Sequence, residues 1–169
     1  MVVVAGDTYP EKTNYIDGEV YTQQALNNMP GFNPIKLWTS DESLENAWDT
    51  VKAINGGCGF IFLSGHGNPA SWSTHPPNDD TIWINGMKLR YIQFLFNKNQ
   101  LPVCITGSGC FNNMFNVSIF NHPYSSIPIP YCLGEGMIFN PHGGSIATIG
   151  STAFSYESPD VNSNRGGIE

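Results

Sequence analysis

Two residues of this 169-residue sequence have the type and setting that nucleophilic chemistry requires. Cys110 closes the run Thr106-Gly107-Ser108-Gly109-Cys110, and His66 lies within Ser64-Gly65-His66-Gly67-Asn68. Each follows an apolar run that reads as a strand. A cysteine nucleophile needs a thiol able to lose its proton and a histidine to hand a proton to the leaving amine; a carboxylate can orient the imidazole. Asp7, just past the first apolar run, is the candidate carboxylate. The glycines around both residues let a substrate backbone approach closely and free backbone N–H groups for an oxyanion, with Gly67 and Cys110 as the natural donors.

The remaining candidates are weaker. Cys58, Cys104 and Cys132 lie inside apolar runs and form no CxxC pair, so they read as small core residues and not as zinc ligands. His75, His122 and His142 stand beside prolines or glycines and are expected in surface loops. Gly65-His66-Gly67-Asn68-Pro69-Ala70 matches GxGxxA, but Pro69 and the polar stretch after it do not open the helix that a dinucleotide site needs. Gly107-Ser108-Gly109 lacks the earlier glycine of a nucleophile elbow, because position 106 is threonine.

The elements that must carry these residues alternate. Strands are expected at 2–5, 35–38, 58–63, 102–106 and 144–150. Helices are expected at 21–29, from Leu44 to Ile54, at 88–96 and around 133–139. The second helix has the clearest pattern, with Leu44, Ala47, Trp48, Val51 and Ile54 on one face and Thr39-Ser40-Asp41-Glu42 as its capping box. Residues 64–86 read as a turn-rich connection. This alternation predicts an α/β fold with a mostly parallel sheet flanked by helices on both faces, and ligands in such sheets bind beyond the carboxyl ends of the strands. Asp7, His66 and Cys110 all fall at such ends.

Composition limits the partners. Seven basic against fourteen acidic residues give a net charge of −7, which disfavours nucleic acid and anionic membranes. No run reaches the roughly 20 apolar residues of a membrane span, and the opening residues lack the basic leader of a signal peptide. Eight acids lie within the first fifty positions, whereas Glu135 alone is acidic between Thr81 and Tyr156. A carboxylate assisting His66 or Cys110 is therefore expected from the N-terminal part.

Asn55-Gly56-Gly57-Cys58-Gly59-Phe60-Ile61-Phe62-Leu63-Ser64-Gly65-His66-Gly67, followed by Trp72, resembles the histidine block of the gingipain-like cysteine peptidases of family C25. The run 97–110, ending Thr106-Gly107-Ser108-Gly109-Cys110, resembles their nucleophile block. Cys132-Leu133-Gly134-Glu135-Gly136-Met137 resembles the helix after it, and 144–152 with Tyr156 and Pro159 the strand walling the specificity pocket. The likeness covers nearly the whole chain in order.

It implies a caspase-like sandwich, with residues 1–169 as a single catalytic subdomain truncated or processed at its C-terminal end. The 44-residue interval from His66 to Cys110 is close to the roughly 50 of caspases. The implied activity is a cysteine endopeptidase, with Cys110 as nucleophile, His66 as acid–base and Asp7 behind the histidine. Tyr156, Asp160, Glu157 and Ser155 would line the substrate pocket. Tyr21 stands where arginine-specific members carry an acid, so a preference for lysine or arginine would rest on Asp160 or, failing it, Glu157. The resemblance further implies protein or peptide substrates, a separate C-terminal piece or remainder of a precursor, and an extracellular or surface setting. It implies no cofactor for catalysis, and structural calcium without an assigned ligand set. Two other readings use the same residues: an inactive C25-like binding module, and a transpeptidase with the same dyad.

Overall fold

The computed structural model describes residues 1–11 and 15–155. Five parallel strands form the main sheet: β1 (Val2–Ala5), β2 (Ile35–Trp38), β3 (Phe60–Ser64), β7 (Val103–Gly107) and β8 (Ala147–Gly150). Their spatial order is β2-β1-β3-β7-β8. The order reverses between β1 and β3, which opens a crevice at their carboxyl ends. Register aligns those ends: Ala5 pairs with Ser64, Ser64 with Gly107, and Thr106 with Gly150.

The sheet is apolar on both faces, as a parallel sheet covered by helices must be. Val2, Val4, Ile61, Leu63 and Cys104 turn one way, into a core with Val51 and Ile54 of α2 (Ala47–Asn55) and Leu133 and Met137 of α3 (Leu133–Phe139). Val3 turns the other way and, with Phe60 and Phe62, meets Leu26 of α1 (Asp17–Asn27). Each fully buried Leu, Ile or Val contributes roughly 1.5–3 kcal/mol through apolar burial.

Four expectations need correction. The α2 cap is not Thr39-Ser40-Asp41-Glu42: the helix begins at Ala47, where the Asn46 side chain accepts from Trp48 N–H at 3.0 Å and Asp49 accepts from Asn46 N–H at 3.0 Å. Ser40 is instead recruited by the buried Glu19, donating to it from N–H at 3.0 Å and from its hydroxyl at 2.6 Å. Helix α1 starts four residues before the expected Tyr21. The expected helix at 88–96 is a 3-10 turn over Leu89–Phe94. Residues 64–86 are not mere turns but a three-stranded antiparallel sheet of β4 (His66–Asn68), β5 (Ser71–Thr74) and β6 (Ile84–Lys88). Its strands are short and polar on one face, so they lack the long apolar alternation that marks a strand in sequence. Trp72 and Met87 on the other face plug the main core.

Candidate active site

The strand ends assemble the site. β3 runs through Gly65 into His66, β7 runs through Ser108 and Gly109 into Cys110, and β8 runs on to Ser155. Because β7 lies between β3 and β8, the Cys110 turn has the histidine on one flank and Ser155 on the other.

The Cys110 turn is tightly held. Ser108 and Phe111 both adopt left-handed backbone conformations, φ 56° and 58°. Such residues cost of order 1 kcal/mol or more each and persist only where the surroundings impose them. Those surroundings are visible: Phe111 N–H donates to Ala153 carbonyl and Asn113 N–H to Ser151 carbonyl, both at 3.0 Å. The Cys110 thiol lies 3.4 Å from the Ser155 carbonyl oxygen and 3.3 Å from Ser155 N–H. The Cys110 N–H has no acceptor among the described residues and is available to an oxyanion.

Gly67 brings the histidine strand against this turn. A Cβ at position 67 would lie 2.7 Å from the Cys110 carbonyl oxygen, the Gly109 carbonyl carbon and Asn112 Oδ1. Only glycine permits that approach.

His66 has a defined tautomer. Its Nε2 lies 2.7 Å from the Thr8 carbonyl oxygen, which can only accept, so Nε2 carries the proton and Nδ1 keeps the lone pair. Tyr9, Trp83 and His75 pack edge-on around the ring, with centroids 5.3, 5.2 and 5.8 Å away. Burial holds its pKa below 6.5; the Thr8 bond opposes that, His75 adds to it, and Asp17 opposes it. The imidazole is therefore neutral at rest. The ring lines a cleft of about 280 Å³ together with Trp83, Asn85 and the polar face of the small sheet.

Asp7 does not orient His66 in this structure. Its backbone pairs with that of His75, and its carboxylate Oδ2 accepts from Asn78 N–H at 2.9 Å. Oδ1 has no partner among the described residues. The carbonyl that reaches the imidazole belongs to the next residue, Thr8. The neighbouring Asp17 accepts from Thr8 N–H at 2.6 Å and Gly18 N–H at 2.8 Å, yet burial still pushes its carboxyl above the usual range.

Tyr21 is buried on α1, and Ser155 is buried with its backbone against the thiol. Tyr156, Glu157 and Asp160 lie outside the described residues. Beside Cys110, Phe111 stacks on Tyr124 at 4.1 Å and meets Phe154 edge-on at 4.7 Å, so an aromatic wall is present, with Phe154 two residues before the expected Tyr156. His75 is not the surface residue expected: it is buried, and its Nδ1 donates to the Ile82 carbonyl at 2.7 Å. The other three thiols are held far from ionisation, burial pushing Cys58 and Cys132 to about 11 and Cys104 to about 12. Among the described residues no three His, Cys, Asp or Glu side chains converge on one point.

Asn112 was not legible in the sequence. Fully buried, its Nδ2 donates to the Asn68 carbonyl at 2.7 Å and the Ser71 carbonyl at 3.0 Å. It thereby ties the Cys110 turn to the small sheet that carries His66.

The architecture has known counterparts. It matches the crystal structure of the Arg-specific cysteine proteinase gingipain R with a TM-score of 0.61 at 20% identity, over 92% of this chain and 32% of that one. A complex of the pro- and mature domains of RgpB from Porphyromonas gingivalis matches with a TM-score of 0.59 at 19% identity, over 92% and 33%. A structure described as a protease matches with a TM-score of 0.63 at 16% identity, over 99% and 33%. The chain thus spans about a third of the length of these solved structures. No curated protein matches it in sequence. The family model of peptidase family C25 matches residues 1–168, and the chain belongs to that family.

Proposed function

We propose that this chain is the catalytic unit of a cysteine endopeptidase in which Cys110 and His66 form the working pair. The observation that carries the reading is the junction at Gly67, where the histidine strand touches the carbonyl of the cysteine itself while His66 keeps Nδ1 free. Neutral His66 takes the thiol proton at Nδ1 as the sulfur attacks the scissile carbonyl carbon. The Cys110 N–H, with Gly67 as second donor, holds the oxyanion. The imidazolium then returns its proton to the leaving amine as the C–N bond breaks, and water hydrolyses the thioester. The Thr8 carbonyl, in place of a carboxylate, fixes the ring and partly offsets the positive charge formed on it.

A preference for lysine or arginine before the cut rests on the aromatic wall beside Cys110 and on the carboxylates of Asp160 and Glu157 in the same segment of sequence. An apolar wall carries the stem of a long basic side chain while an acid pairs its head. Protein or peptide substrates and an extracellular setting belong to the same proposal. The deciding experiment is labelling with a thiol-reactive peptidyl inhibitor. Modification at Cys110 that vanishes in Cys110→Ala, together with loss of peptide cleavage, is expected. Unmodified Cys110 and no turnover would identify an inactive binding module.

A further inference from the structure

We propose that the enzyme selects substrates carrying aspartate or glutamate two to four residues beyond the scissile bond, bound by Lys88 and Arg90 in a groove that opens from the His66 cleft. This inference rests on the peptidase reading above and extends it to a second determinant.

The groove encloses about 860 Å³ between the small sheet, the 3-10 turn over Leu89–Phe94, α3 and the proline-rich loop around Pro128 and Pro130. It shares Asn68, Ser71 and Asn85 with the cleft that holds His66, so the two are one continuous depression. Strand pairing explains the continuity. Ser73 lies opposite His66, and Ser71, two residues along β5, lies opposite both Asn68 and Lys88. Side chains two apart on a strand share a face. His66, Asn68, Ser71, Ser73 and Lys88 therefore form one polar floor, while Trp72 and Met87 face the core.

Charge names the occupant. The protein carries −7, yet Lys88, Arg90 and His142 line this groove and no described carboxylate does. Neither Lys88 nor Arg90 has an ion pair among the described residues. Arg90 lies over the Tyr91 ring, 5.1 Å from its centroid, which holds the guanidinium without neutralising it. Two unpaired cations in a depression continuous with the catalytic cleft complement an acidic stretch of substrate.

Sheet order names the side of the cut. The leaving amine must sit at His66, which protonates it. His66 flanks Cys110 on the side opposite Ser155, so the depression that runs on from His66 takes the chain after the scissile bond. Lys88 is two strands across and two residues along from His66. Strand geometry makes that ~12 Å, or three to four residues of extended peptide.

The test is cut-site profiling of a proteome-derived peptide library with the wild-type protein, Cys110→Ala and Lys88→Glu/Arg90→Glu. Preferences are read as ratios within each reaction, so a change in overall rate does not affect them. Acids should be enriched about two- to five-fold at the second to fourth positions after the cut, the range that an exposed ion pair supplies. The enrichment should fall in wild type as salt rises from about 0.05 to 0.5 M, because the Debye length shrinks from roughly 14 to 4 Å. In the double variant it should invert toward lysine and arginine. Cysteine-dependent cutting without acid enrichment, with enrichment before the cut instead, or with an unchanged profile in the double variant overturns the groove assignment and leaves the peptidase standing. Absence of any Cys110-dependent cutting removes the peptidase reading and this inference with it.

Discussion

Replacing Gly67 with alanine tests the site at its most constrained point. The added Cβ would lie 2.7 Å from three atoms: the Cys110 carbonyl oxygen, the Gly109 carbonyl carbon and Asn112 Oδ1. Ordinary van der Waals contact begins near 3.4 Å, so a displacement of about 0.7 Å is required. None of the three atoms is the free end of a flexible chain. Two are backbone, and the Asn112 amide is fixed by its bonds to the Asn68 and Ser71 carbonyls. The Cys110 turn must therefore move away from the histidine strand. A misplacement near 1 Å costs about 10²-fold in rate when reacting groups lose alignment, and overpacking costs typically 1–3 kcal/mol of stability. At roughly 2–4 °C per kcal/mol for a chain of this size, the melting temperature should fall by about 2–12 °C. The assay pairs kcat/KM on a peptide substrate with thermal unfolding monitored by circular dichroism. Gly31→Ala is the control, since a Cβ there meets nothing within 4 Å, and it should leave both quantities unchanged. Wild-type kcat/KM and melting temperature in Gly67→Ala would show that the histidine strand and the Cys110 turn are not in contact.

Asn112→Ala leaves the Asn68 and Ser71 carbonyls without their donor, costing about 1–3 kcal/mol for each group stranded from water; kcat should fall more than KM rises, and a purely structural role would lower stability while sparing kcat in the folded fraction. Burial keeps His66 neutral, so activity on lowering pH should decline through a midpoint below 6.5, and a kcat/KM profile with its acid limb at 6.5 or above would contradict that environment. The same shift acts on stability: below pH 6.5 the unfolded histidine binds a proton that the folded one still refuses, so its contribution is complete above 6.5 and is lost as pH falls through the lowered folded value. Iodoacetamide near pH 8 should modify Cys110 well before Cys58, Cys104 or Cys132, whose thiols are held at about 11, 12 and 11; peptide mapping by mass spectrometry reads the order. Cys104→Ala should cost of order 1 kcal/mol of stability with turnover retained, measured by denaturant unfolding and peptide assay.

The parallel sheet, the three helices and the positions of His66 and Cys110 at strand ends were legible in the sequence, because each is set by local signals. Val2–Ala5 and Phe60–Ser64 are apolar on both faces, as buried parallel strands must be, and the glycines that follow them mark the turn into the site. What the sequence left open depends on contacts between residues far apart in the chain. The expected cap at Thr39 is not made because its hydroxyl turns to Glu19 and the His75 carbonyl, 20 and 36 residues away in the chain, and Asn46 caps α2 instead. Which oxygen orients His66 turned on a bridge between Asp7 and His75, which directs the Asp7 carboxylate to Asn78 and leaves the Thr8 carbonyl to meet the ring. The small antiparallel sheet escaped detection because its strands, three to five residues long, are paired by neighbours and plugged by Trp72, not specified by their own apolar pattern. Sequence determined which residues could react, since identity and local periodicity are written in it; tertiary packing decided how they are held, since a hydrogen bond across 58 residues exists only once the strands between its partners have found their order.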